Sequence, residues 1–118
     1  MELFNAHEYF EAHESLETAW RQETGPIRNL YRGILQVSVA YYHLVHQNYA
    51  GAYKVFQRCH KWLAPFPDTC RGIDLAGFRQ DYLRVEAEVI RLGPDHLAEF
   101  NPLWLKQIHY KSLSEKKL

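Results

Sequence analysis

The amino-acid sequence predicts an all-α fold, a compact bundle of four main helices with a short C-terminal segment docked on it. Three observations predict it. Four stretches place apolar residues at the i, i+3, i+4, i+7 spacing of an amphipathic helix. Caps and Gly or Pro breakers punctuate those stretches. Nowhere does the chain show strand-period alternation, an internal repeat or a domain linker. A chain of 118 residues has the length of one domain with a core that needs no staples. Residues 1–110 are expected to form a single helical domain, and Lys111 to Leu118 a frayed tail.

The first helix is expected from Asn5 to about Arg21. Asn5 reads as its N-cap and Glu8, three residues on, completes a capping box. Phe4 and Tyr9 are spaced as a hydrophobic staple. On a helical wheel centred on His13, the residues Ala6, Tyr9, Phe10, Ala12, Leu16, Ala19 and Trp20 cover an arc from roughly −120° to +60°. Glu17 lies inside that arc at about +40°. His7, Glu8, Glu11, Ser15 and Thr18 take the far side, with Glu14 at the border. One imidazole and one carboxylate therefore point inward.

Thr24-Gly25 breaks the first helix, and Pro26 is placed as the first residue of the second. That helix runs to His46 and is apolar nearly all round, which marks the central element of a bundle. Its remaining polar residues form a narrow stripe of Asn29, Arg32, Gln36, His43 and Gln47. Asn48 reads as the cap of the third helix, whose apolar face is Tyr49, Ala52, Tyr53, Phe56, Cys59, His60 and Leu63. The short connection makes helices two and three an antiparallel hairpin. Pro65 and Pro67 stop the third helix, and Phe66 to Ile73 reads as a loop. Asp74 caps the fourth, with Leu75, Phe78, Tyr82, Val85, Val89 and Leu92 inward, and Gly93-Pro94 ends it. Phe100, Pro102, Leu103, Trp104, Leu105 and Ile108 are too apolar for a free tail, hence the docked segment.

Composition narrows the function classes. Lys plus Arg equals Asp plus Glu at 14 each, a formal net charge of zero. No electrostatic reason exists to expect a nucleic-acid or anionic-membrane partner, and near-neutrality permits a homodimer. No window reaches about 18 uninterrupted apolar residues, so no membrane span is expected. No signal peptide opens the chain, and a reduced cytoplasmic setting is the expectation. Cys59 and Cys70 are too few and too widely spaced for a zinc knuckle. Cys59 reads as a small core residue, and a Cys59–Cys70 disulfide stays open. No serine sits in a nucleophile elbow and no glycine-rich loop suits phosphate.

The chemistry-bearing pattern is His-Glu-x-x-Glu, present at His7 to Glu11 and again at His13 to Glu17. Zinc peptidases place a second histidine where this chain has Glu, so their signature is absent. A His/Glu pair at i, i+4 still presents two ligands to one ion. The first copy lies on the polar face and reads as solvated surface; the second is the inward pair. A third ligand is available from His43, with Gln36 two turns before it, since metal sites in bundles are built from facing helices. Against that stands a structural network, in which His13 and Glu17 satisfy each other and Arg32 neutralises Glu17. Trp62, Phe66 and Trp104 read as core or as a partner surface.

Two blocks resemble a known family. Phe4-Asn5 followed by Tyr9-Phe10-Glu11-Ala12-His13-Glu14-x-x-Glu17-x-x-Trp20 is similar to the opening signature of the domain of unknown function 309 family. Gly33-Ile34-Leu35-Gln36-Val37-x-Val39-Ala40-x-x-His43, then Gln47-Asn48-x-x-Gly51-Ala52, resembles its second block. The resemblance covers most of residues 4 to 63 and becomes diffuse beyond about residue 75. It implies a small all-helical bacterial, archaeal or plastid-type protein with no established activity, and its motif positions fall on Glu11, His13, Glu14, Glu17, Trp20, Gln36 and His43. The family commonly has Gly where this chain has His7.

Two functions follow as expectations. In the first, His13, Glu17 and His43 bind a divalent metal in a pocket also lined by Gln36, and Glu14 or Glu11 at the rim acts as acid or base. Metal-assisted hydrolysis is the reaction class such a site suggests, its small-molecule ligand unknown and no other cofactor indicated. In the second, the His/Glu cluster only fixes helix packing in a non-catalytic interaction module whose exposed aromatics contact a second copy or another partner.

Overall fold

The computed structural model describes residues 1–110; the expected tail at Lys111 to Leu118 lies outside them. The fold is all-α, with four main helices. A single turn, α1 (Glu2–Asn5), precedes α2 (Tyr9–Gln22), α3 (Arg28–Val45) and α4 (Tyr49–Leu63). A ribbon of β1 (Thr69–Cys70) and β2 (Ile73–Asp74) leads into α5 (Leu75–Leu92). Two short 3₁₀ turns, Leu97–Glu99 and Pro102–Trp104, carry the chain back across the bundle. Among the described residues no helix is long and apolar enough to cross a membrane.

α3 is the central helix, as its nearly all-apolar surface requires. α2 and α4 pack most extensively against it, and Leu30, Ile34, Val37, Ala40 and Tyr41 are fully buried in the seam. Asn48 caps α4 by accepting the Gly51 N–H at 3.0 Å. Asp74 caps α5 in the same way through Gly77 at 3.0 Å. At the other end of α4, Arg79 donates to the carbonyls of Leu63 (2.6 Å) and Phe66. This guanidinium satisfies acceptors that the helix end leaves open.

The first helix departs from its expected form. Asn5 is not an N-cap, and the Asn5/Glu8 capping box does not form: Asn5 ends α1, and Glu8 precedes α2 without a side-chain cap bond. The break is at His7, whose φ is +64°. Its cause is packing. On one continuous helix Phe4 and Tyr9, five residues apart, would point about 140° apart. Folded back at His7, both rings are buried and meet edge to face at 5.4 Å. The staple contact therefore exists, in a different backbone. A non-glycine residue in the left-handed region costs about 1 kcal/mol or more. His7→Gly is expected to raise stability by a few tenths to about 1 kcal/mol in urea unfolding, after allowance for the freer unfolded chain and the lost stacking on Tyr9. An unchanged or lower midpoint would contradict this.

Two boundaries also differ. Pro26 is not the first residue of α3; the chain takes a 3₁₀-like turn through Gly25, Pro26 and Ile27 and the helix starts at Arg28. The expected loop at Phe66 to Ile73 contains the β1–β2 ribbon, in which Thr69 pairs with Asp74 and Cys70 with Ile73. Arg71 and Gly72 both have positive φ, +53° and +78°, as the tightest hairpin turns need.

The C-terminal segment is docked. Leu97, Leu105 and Ile108 are buried, the Asp74 N–H donates to the His109 carbonyl at 2.8 Å, and Tyr110 bridges to Ile73. Asn5 holds it from the other side, donating to the Ile108 carbonyl at 2.9 Å and accepting the Ile108 N–H at 2.7 Å. At the opposite end of the bundle, Arg32 lies between two indoles, 5.2 Å from the Trp20 ring centre and 4.0 Å from that of Trp62. Arg28 also covers Trp20, at 4.8 Å. These cation–π contacts, each of about 0.5–2 kcal/mol, tie α2, α3 and α4 together.

Candidate functional site

Where α2 lies on α3, their side chains leave a groove of about 180 Å³ lined by Tyr9, Phe10, His13, Val39, Tyr42 and His43. Three come from each helix, at the i, i+1, i+4 and i, i+3, i+4 positions that face a neighbouring helix. The walls are aromatic and aliphatic, and the two imidazoles supply the nitrogen. Phe10 stands 52% exposed at the mouth, its ring 5.9 Å from that of Tyr42. Tyr42 in turn lies 4.2 Å from the His46 ring.

His43 is held in one orientation. The Asn48 carbonyl oxygen accepts from Gly51, so its amide nitrogen faces His43 and donates to Nδ1 at 3.2 Å. That contact assigns the ring proton to Nε2. Burial, and then the neighbouring His46, push the His43 imidazole below its ordinary pKa, so the ring is neutral at pH 7.

The expected metal ligands are only partly gathered. His13 and His43 share the groove. Glu17 stands 3.8 Å from His13 Nε2, but its other oxygen takes a 2.6 Å bond from Arg21, one turn on along α2. Arg21, not Arg32, is the cation on Glu17; Arg32 is occupied by the indoles. The His13 and Glu17 side chains are 33% and 31% exposed, so the pair sits at a half-exposed rim rather than inside. Gln36 is half-buried on α3 and does not line the groove, while Glu11 and Glu14 are exposed on the outer side of α2. Among the described residues no three His, Cys, Asp or Glu side chains converge as metal ligands.

A second His/Glu pair was not singled out by spacing. Glu86 of α5 is a buried carboxylate whose two oxygens lie 2.9 and 3.1 Å from His60 Nε2 on α4. Gln57 donates to it as well, at 3.2 Å. The available signal was Glu86 itself, four residues after Tyr82 and three before Val89 on the inward face of α5. With its acceptors satisfied by two donors from α4, it fastens the two helices. Cys59 lies in the same seam, fully buried, where burial pushes its thiol up to about 12; it is no nucleophile at neutral pH. Cys59 and Cys70 are both free thiols.

The model of a domain of unknown function (DUF309) matches residues 1–55, from α1 through the first half of α4. No curated protein and no solved structure matches the chain.

Proposed function

We propose that this groove is the working surface of the protein: the model of a domain of unknown function (DUF309) matches residues 1–55, and the whole groove lies within them. In this reading the protein is a non-catalytic interaction module, and the groove receives an aromatic side chain of a partner protein. The observation that carries it is Phe10, a phenyl ring half in water beside an apolar cleft. An exposed aromatic edging a preformed cleft is what partner recognition uses. The imidazoles of His13 and His43 fix the orientation of what enters.

A divalent-metal reading has one observation in its favour, the two imidazoles on one groove. It has less support than recognition, since the third expected donor, Glu17, is bonded to Arg21 and the acid–base candidates Glu11 and Glu14 are exposed on the outer side of α2.

Titration of ¹⁵N-labelled protein with 4-methylphenol tests the proposal. Amide shifts are expected to move at Tyr9, Phe10, His13, Val39, Tyr42 and His43, and to stay still in Tyr42→Ala. Shifts scattered over the surface, or none at millimolar probe, would overturn it.

A further inference from the structure

We propose that the recess between α5 and the docked C-terminal segment is a second binding site, one that takes a small acidic α-amino acid. It shares no lining residue with the α2/α3 groove and does not depend on the recognition reading above. The recess holds about 130 Å³ and is lined by Asp81 and Arg84 of α5 with Trp104 and Lys106 of the segment. A cavity of roughly 150 Å³ accommodates benzene, so the space suits a molecule of that order of size. A wider recess of about 470 Å³ shares Asp81 and Lys106, leaving room for the ligand's outer end.

The charges that face this recess do not neutralise one another. On α5, Glu88 and Arg91 stand at i, i+3 and close into a salt bridge. Asp81 and Arg84 have the same spacing and order on the same helix. Among the described residues, however, neither they nor Lys106 enter a salt bridge. Helical spacing permits the pair; Arg84 is instead drawn over the Trp104 ring, 5.3 Å from its centre. Burial pushes the Asp81 carboxyl above its ordinary pKa, against the opposing pull of Arg84, Lys106 and His109. Its charge is short of a close partner.

Such an arrangement selects ligands by charge. A simple anion meets Arg84 and Lys106 but also the Asp81 carboxylate, and a simple amine meets Asp81 but also two cations. A molecule with an ammonium beside a carboxylate satisfies both sides, the ammonium on Asp81 and the carboxylate on Arg84. With two cations against one carboxylate, a second acidic group for Lys106 balances the count. That chemistry is an acidic α-amino acid, with the Trp104 ring as its apolar wall.

Titration of the ¹⁵N-labelled full chain with L-aspartate, and separately with succinate, tests this. Succinate has the same two carboxylates without the ammonium. L-Aspartate is expected to give saturable shifts at the Trp104 indole N–H and at the amides of Asp81, Arg84 and Lys106, with succinate about tenfold weaker. Asp81→Asn, nearly isosteric, should reverse the order: L-aspartate weakens about tenfold and succinate tightens. A residue that only held α5 in place would weaken both ligands alike. No saturable shift with millimolar L-aspartate overturns the proposal. So does equal affinity for succinate, or an order of preference unchanged in Asp81→Asn. The comparison of the two ligands on the unaltered chain decides the matter even if Asp81→Asn fails to fold. Shifts with L-aspartate at the α2/α3 groove instead of at Trp104 also overturn the site.

Discussion

Asn5→Ala is expected to lower stability by about 2–4 kcal/mol, because it strips partners from two backbone groups at once. The Asn5 side chain serves both the N–H and the carbonyl of Ile108, across 103 positions of sequence. Ile108 is itself buried, so water does not replace the lost bonds cheaply. The effect should be local before it is global. Amide exchange is expected to speed up through Leu105 to Tyr110, and at β2, which receives the same segment through Asp74 and Ile73. The α2–α3–α4 core should keep its protection. A loss below about 1 kcal/mol, or exchange that rises equally in α3, would contradict the clamp.

Gly33→Val is expected to cost about 3 kcal/mol, the upper end of the overpacking range. A β-carbon at Gly33 would meet the Leu63 side chain at 2.4 and 2.5 Å and the Trp62 β-carbon at 3.3 Å. Leu63 is fully buried, so it cannot turn aside, and α3 and α4 must separate. The same separation would pull Trp62 away from Arg32. Ordinary helix propensity predicts the opposite sign, since Gly is the poorer helix former; urea unfolding therefore distinguishes close packing from propensity by direction alone. Gly33→Ala should show a smaller loss, because a larger propensity gain opposes a smaller clash.

Much of the fold was legible in residue spacing. The four helices, the Asn48 and Asp74 caps and the centrality of α3 follow from a 3.6-residue period with punctuated ends. The start of the chain was not. Asn5 and Glu8 form a capping pattern, but burying both Phe4 and Tyr9 outweighs it, and Asn5 is drawn to a partner at Ile108 that no local pattern reveals. The β1–β2 ribbon escaped for a related reason, being two residues per strand and set by the turn at Arg71-Gly72.

The site was legible in part. The wheel brought His13 to the α3 side of α2, and His43 indeed lines the same groove. It placed Phe10 inside the apolar arc, however, while the arc's edge stands in water. Angle alone does not tell how far a neighbouring helix reaches around. Nor does it tell which cation a carboxylate takes: Glu17 found Arg21 one turn away, while Arg32 went to two indoles brought together by three helices. Glu86 and His60 pair across α4 and α5, a contact invisible to any window shorter than the 26 residues between them.

We propose that the α2/α3 groove recognises an aromatic group rather than a metal. The most direct measurement is a long-range ¹H–¹⁵N spectrum of the histidine rings at neutral pH, recorded with equimolar zinc and, separately, with 4-methylphenol. The ring nitrogens of His13 and His43 are expected to keep their positions with zinc and to move with the phenol. Zinc-dependent shifts at both rings, with no response to the phenol, would contradict it.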